Sequence, residues 1–208
     1  MAIFKTAKQF LKKVGINYDA YFFKRRVSRS DCLRIIVGSG GINRDGWIST
    51  DIDILNLLEI RDWQKSFKIG SVDTVLAEHV WEHLTESEAS IAVRNCFKFL
   101  KSGGHLRIAV PDGNHPDPDY IAYVRPGGTG FGSDDHKILY NYKTLAGVLE
   151  HEGFAVKLLE WFDENGDFHF EEWSPEDGMV RRSMRFDKRN KSTPLAYTSL
   201  IIDGYKPA

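Results

Sequence analysis

The run Leu33-Arg34-Ile35-Ile36-Val37 is nearly all apolar and is stopped at once by Gly38-Ser39-Gly40-Gly41. A short strand with no polar face sits inside a sheet rather than at its edge. More strands follow with helices between them. Trp47–Thr50 is a second strand that delivers Asp51 at its end, and Val72–Ala77 a third that delivers Glu78 and His79. A short helix is expected around Leu57–Gln64. Thr85, with Glu88 three residues on, forms a capping box opening a helix whose Ala89, Ala92, Val93, Cys96 and Leu100 share a face. Ser102-Gly103-Gly104 is expected to end that helix, and His105–Val110 is the next strand, closed by Pro111-Asp112.

Residues 111–135 are rich in Pro, Gly and Asp and read as a long loop. Beyond it come a helix over Tyr142–Glu152, a strand over Phe154–Phe162, a return strand at Phe168–Phe170 and a last strand at Tyr197–Ile202. Alternation up to about residue 153 predicts an α/β, Rossmann-like, mostly parallel sheet with helices on both faces. The late strands lack a crossover helix and predict a terminal antiparallel hairpin. Residues 38–46 are too few for a helical crossover, so the first crossover helix is reduced to a turn. One reading has the amphipathic helix of residues 2–14 packing over the face left bare. The competing reading folds the first two strands into a hairpin.

Length bounds the organisation: 208 residues suit one globular unit, 33–208, preceded by an N-terminal helix and basic connector at 1–32. That connector reads as a solvated face or as a patch for an anionic partner. The net charge of −1 supplies no overall field for nucleic acid. The apolar runs are too short for a transmembrane segment or secretory signal, and Cys32 and Cys96 read as buried thiols, so a cytoplasmic location is expected. Oligomeric state is not legible.

The order Val37–Gly41, then Asp51, then Leu76-Ala77-Glu78-His79, then Leu100–Leu106 resembles class I S-adenosylmethionine-dependent methyltransferases. Ser102 replaces the proline usual in the last segment. Glu78-His79-Val80-Trp81-Glu82-His83-Leu84 and Gly46-Trp47-Ile48 are similar to a bacterial subgroup of predicted methyltransferases. The resemblance implies S-adenosyl-L-methionine as cofactor, held by Gly38, Ser39, Gly40, Gly41, Asp51, Asp53 and Glu78. The residues support it separately. Glycines let backbone approach a ligand, and an acidic strand end can hold ribose hydroxyls. Asp53 competes with Asp51, which sits nearer the strand end. Gly38–Asn43 lacks the last glycine of the nicotinamide fingerprint.

Methyl transfer mainly demands alignment, and a base only where the acceptor arrives protonated. The candidates above the sheet are His79, Asp112, His115, Asp135 and His136. For Asp112–Asp117 with Asp134–His136, three readings stay open: a base with its orienting carboxylate, a divalent-metal site, or turn residues on a solvated loop. No metal is assigned, and His83 reads as structural. Trp161, Phe168, Phe170 and Trp173 read as the core of the late hairpin or as an acceptor pocket, and Arg181, Arg182 and Arg185 as anion binders or solvated groups. The expected acceptor is a small molecule or glycan-related. The alternatives are a non-catalytic binding module and a nicotinamide enzyme. Nucleic-acid methylation is disfavoured, since no aromatic-lined basic groove is evident.

Overall fold

A computed structural model describes residues 18–190 and 195–208. Seven strands form one sheet in the order β2-β1-β3-β4-β7-β5-β6. They are β1 (Arg34–Val37), β2 (Ile48–Ser49), β3 (Val72–Glu78), β4 (Leu100–Val110), β5 (Ala155–Phe162), β6 (Phe168–Phe170) and β7 (Leu200–Tyr205). The first four pair in parallel, so the hairpin reading of β1 and β2 is excluded. β7 runs antiparallel to both β4 and β5, and β5 forms an antiparallel hairpin with β6 at the edge. The last strand is therefore antiparallel, as expected, but inserted in the sheet. Its Leu200, Ile201 and Ile202 are buried on both faces, which an edge strand does not need.

The helices are α1 (Tyr18–Val27), α2 (Ile60–Ser66), α3 (Glu86–Phe99), α4 (Pro118–Val124) and α5 (Tyr142–His151). Thr85 caps α3 as its sequence requires. Its N–H donates to Glu88 Oε2 (2.9 Å), and the Glu88 N–H donates to Thr85 Oγ1 (3.4 Å). Ala89, Ala92, Val93, Cys96 and Phe99 fall at helical spacing and are buried. They join Phe23 of α1, Trp63 of α2, and Leu145 and Leu149 of α5 in one core against Ile35, Val37, Val75, Ile108 and Ile202. Burial pushes the Cys96 thiol pKa well up, whereas Cys32 is exposed, contrary to expectation.

Among the described residues the opposite face is covered without a regular helix. Ile36, Leu76, Ala109, Leu159 and Ile201 pack there against Trp47, Trp173 and Val180. Its cover is chain of residues 171–190, with a single 3-10 turn at Pro175–Asp177. The helix expected at residues 2–14 lies outside the described residues. Irregular cover brings backbone groups that no helix satisfies, and buried sheet side chains do so instead. Arg107 is 1% exposed. Its Nε and Nη2 donate to the two Asp203 oxygens (2.7 Å each), and its Nη1 donates to the carbonyls of Gly178 (2.6 Å) and Ser174 (3.1 Å). Glu160, also buried, accepts from Trp173 Nε1 (3.0 Å), the Met184 N–H (2.7 Å) and the Thr198 hydroxyl.

Two local expectations are corrected. Ser102-Gly103-Gly104 does not cap a helix: α3 ends at Phe99, and these residues belong to β4. A Cβ on Gly104 would lie 2.8 Å from the Asp73 carbonyl oxygen, so glycine there permits strand contact. The 111–135 stretch is not all loop, because Asp117 caps α4 with Pro118 at its first turn. Among the described residues no helix is long and apolar enough to cross a membrane.

Arg107→Leu should destabilise the fold by roughly 3–5 kcal/mol, because it leaves the Asp203 carboxylate buried and unpaired. Urea unfolding followed by tryptophan fluorescence checks this, and a loss under about 1 kcal/mol, the scale of an exposed ion pair, would contradict it.

Candidate active site

β1 ends at Val37, and the chain turns through Gly38 at φ 58°. Any Cβ there would lie 2.5 Å from Val80 Cγ2 as well as straining the backbone. The next residues are fixed by Asp51. Its Oδ2 accepts from Ser39 Oγ (2.9 Å) and its Oδ1 from the Gly40 N–H (2.9 Å). The Ser39 N–H reaches the Thr50 carbonyl (3.0 Å), and the Gly41 N–H reaches Ser39 Oγ (3.3 Å). Each Asp51 oxygen keeps further lone-pair capacity. Asp53 is exposed, and neither it nor Gly41 nor Asp51 lines the cleft beside this loop, Asp51 standing behind Ser39 and Gly40.

That cleft has a volume of about 240 Å³, between the carboxyl ends of β1 and β3. Ile36 and Leu76 line it, with Gly38, Ser39 and Gly40 on one side and Glu78 on another. It therefore opens on the face under the irregular cover, and the cover contributes Arg181 and Arg182. Glu78 Oε1 accepts from the Arg182 N–H (3.0 Å), and Oε2 lies 3.6 Å from Arg181 Nε. Arg44 also lines the cleft. Burial lowers its pKa, Arg181 adds to that, and Glu78 opposes it.

A second cavity, of about 370 Å³, adjoins the first: His79 and Arg182 line both. Its wall also includes Glu82, His83, His136 and Tyr197. His79 has φ 58°, the one left-handed non-glycine among the described residues, a conformation held only where the surroundings over-determine it. Its N–H bonds the Ala109 carbonyl (2.8 Å), its Nδ1 lies 2.8 Å from Glu82 Oε1, and its Nε2 is 3.0 Å from Ser199 Oγ. Burial pushes the Glu82 pKa up, but the charge and contact of His79 outweigh it, and the net direction is down. The rings of His83 and His136 meet edge to face at 4.8 Å. His136 Nδ1 is 2.7 Å from the Val124 carbonyl, which only accepts, so Nδ1 carries a proton.

The predicted residues thus divide. His79 and His136 come together in the second cavity, and Asp135 stands exposed beside it, 3.3 Å from His83 Nδ1 and 3.0 Å from Lys137 Nζ. Asp112 and His115 line neither cavity. Asp112 is fully buried and accepts from the N–H groups of Phe162 (2.8 Å) and Asn114 (2.9 Å). Burial pushes its pKa up to about 6, against the pull of those two bonds. His115 stacks on Tyr120 at 4.0 Å, and burial lowers its pKa. Sequence reasoning passed over Glu82 and Ser199. Glu82 had a signal, lying in the same short segment as His79 and His83. Ser199 had none, being brought to His79 only by the insertion of β7.

A family model described as a methyltransferase domain matches residues 55–108, from ahead of α2 into β4. Over that segment the chain is similar to the methyltransferase domain family. A crystal structure of a methyltransferase from Thermotoga maritima, titled a possible histamine N-methyltransferase, shares the fold. It is 11% identical, with a TM-score of 0.51 over 91% of this chain and 89% of that one. A methyltransferase from Archaeoglobus fulgidus is 18% identical over 94% of this chain and 96% of its own, with a TM-score of 0.49. No curated protein matches the sequence.

Asp112 supplies a pH test. Its folded pKa of about 6 stands above the ordinary 3.8, so its contribution to stability is present below 3.8 and lost as pH rises through 6. The chain should therefore lose about 2 kcal/mol relative to Asp112→Asn between pH 4 and pH 7. Paired urea titrations at three pH values measure the difference. A difference that stays flat contradicts the shift.

Proposed function

We propose that this chain is an S-adenosylmethionine-dependent methyltransferase that acts on a small polar acceptor, glycan-related molecules among them, bound in the 370 Å³ cavity, with the cofactor in the 240 Å³ cleft. The observation that carries this is the shared wall. Two separate cavities, each of small-molecule scale, meet at His79 and Arg182. Methyl transfer needs donor and acceptor held in line across one boundary, and alignment of this kind can supply much of the rate.

The residues in the cleft, with Asp51 beside it, fit S-adenosylmethionine. A glycine-bearing turn exposes backbone, Asp51 retains acceptor capacity, and Arg44 Nη1 is buried without a hydrogen-bond partner among the described residues. In this reading Gly38–Gly41 pack against the cofactor, Asp51 accepts from its ribose, and Glu78 lies at its far end. The cofactor supplies an electrophilic methyl group. His79, pinned between Glu82 and Ser199, fixes the boundary between the cavities. Arg182 and Arg189, which also line the acceptor cavity, favour an acceptor with anionic or oxygen-rich groups.

Calorimetry with S-adenosylhomocysteine tests the assignment of the cleft. The parent should bind one molecule per chain, and Asp51→Ala should weaken that at least about tenfold, the scale of a lost charge-assisted hydrogen bond. Equal affinity in the variant, or binding of NAD in preference, would remove the assignment.

A further inference from the structure

We propose that Glu82, His83 and His136 bind one divalent transition-metal ion in the wall of the acceptor cavity. One ligand atom from each of the three lies within 4.8 Å of the others. Bond lengths of about 2.0–2.2 Å to nitrogen and oxygen place neighbouring ligands roughly 3–3.5 Å apart, so small side-chain rotations close the set.

Several polar atoms here have no hydrogen-bond partner among the described residues. Glu82 is 1% exposed and both its carboxylate oxygens are among them, with the His79 ring 2.8 Å from Oε1 as an ion-pair contact. Burying a charge with so little compensation is costly. His83 Nδ1 is likewise buried without a hydrogen-bond partner, 3.3 Å from the Asp135 carboxylate. His136 donates from Nδ1 to the Val124 carbonyl, which leaves the Nε2 lone pair free. A ring nitrogen tied to a backbone carbonyl is the usual outer support of a metal-bound histidine.

Two imidazoles with one carboxylate suit zinc, iron or manganese rather than calcium or magnesium. Three protein ligands leave coordination positions open, and all three residues line the cavity. This revises the sequence expectation of no metal. The ion's use rests on the methyl-transfer reading: it would hold an oxygen of the acceptor and favour the ionised form of a hydroxyl.

The test uses the full chain stripped with EDTA and titrated calorimetrically with zinc chloride and with manganese chloride. One ion per chain is expected, with binding weakened at least tenfold in His136→Ala and in Glu82→Gln. His136→Gln, closer in volume, serves where His136→Ala does not fold. No uptake, or a folded His136 variant that binds as tightly as the parent, overturns the site. S-adenosylhomocysteine titrated into the metal-free protein separates the two readings. Its binding without ion uptake overturns only the metal site. Ion uptake weakened by the His136 variant, with no nucleoside binding, keeps the site and removes the methyl-transfer reading.

Discussion

The guanidinium of Arg107 is the interaction on which the second face of the sheet depends. A sheet in this fold class is ordinarily covered by helices, which satisfy their own backbone groups. Here residues 171–190 cover it almost without them. Arg107 and Asp203 are directly opposed on β4 and β7, so the ion pair is fixed by strand register. Two donors go to Asp203, and the third nitrogen reaches out to the Ser174 and Gly178 carbonyls. The guanidinium also lies 4.9 Å from the Trp173 ring. A lysine has one charged nitrogen and no planar fork, and would not serve both purposes. Glu160 makes the complementary arrangement on β5, accepting from the cover where Arg107 donates to it.

The same device shapes the cleft at the ends of β1 and β3. Val180 packs into the core of this face, and the next two residues are Arg181 and Arg182. Anchored at 174–180, the chain can only pass across the ends of β1 and β3, where the Arg182 N–H meets Glu78. The 182 carbonyl then accepts from the Ser199 N–H (2.9 Å), ahead of β7, and Ser199 in turn contacts His79. One continuous set of contacts thus runs from a buried ion pair to the boundary between the cavities. The positive φ of His79 belongs to it, since Ala109 on β4, Ser199 just ahead of β7, and Glu82 hold that residue on three sides.

Much of the frame was legible because its signals are local. Apolar runs gave β1, β3 and the body of β4, and the capping box at Thr85 gave the start of α3. The Leu200-Ile201-Ile202 run even held a clue to the place of β7, since three consecutive buried apolar residues belong to an interior strand. The cover was not legible, because its stability comes from charged residues buried against partners about 70 to 100 positions away. Read locally, Arg107 and Asp203 are polar interruptions in strands. Cys32 and Ser102–Gly104 misled for a related reason: the residue types suit burial and capping, but their surroundings decided otherwise. The site divided along the same line. His79 and His136, picked out by residue type and loop position, line one cavity, whereas Asp112, picked out the same way, lines neither.

The short first crossover explains why Asp51 is so heavily used. In open α/β sheets with a helix after the first strand, that helix's N-terminus helps orient the loop's N–H groups. Here β1 and β2 are parallel neighbours joined by residues 38–47 without a helix. The loop's shape is held by acceptors outside it: the Asp51 carboxylate accepts from Ser39 Oγ and the Gly40 N–H, and the Thr50 carbonyl takes the Ser39 N–H. A carboxylate spending one lone pair on each oxygen remains able to accept again. The aspartate therefore holds the loop in shape ahead of any ligand. A ligand drawing on its remaining capacity meets a loop already ordered and spends less of its binding energy on fixing that shape.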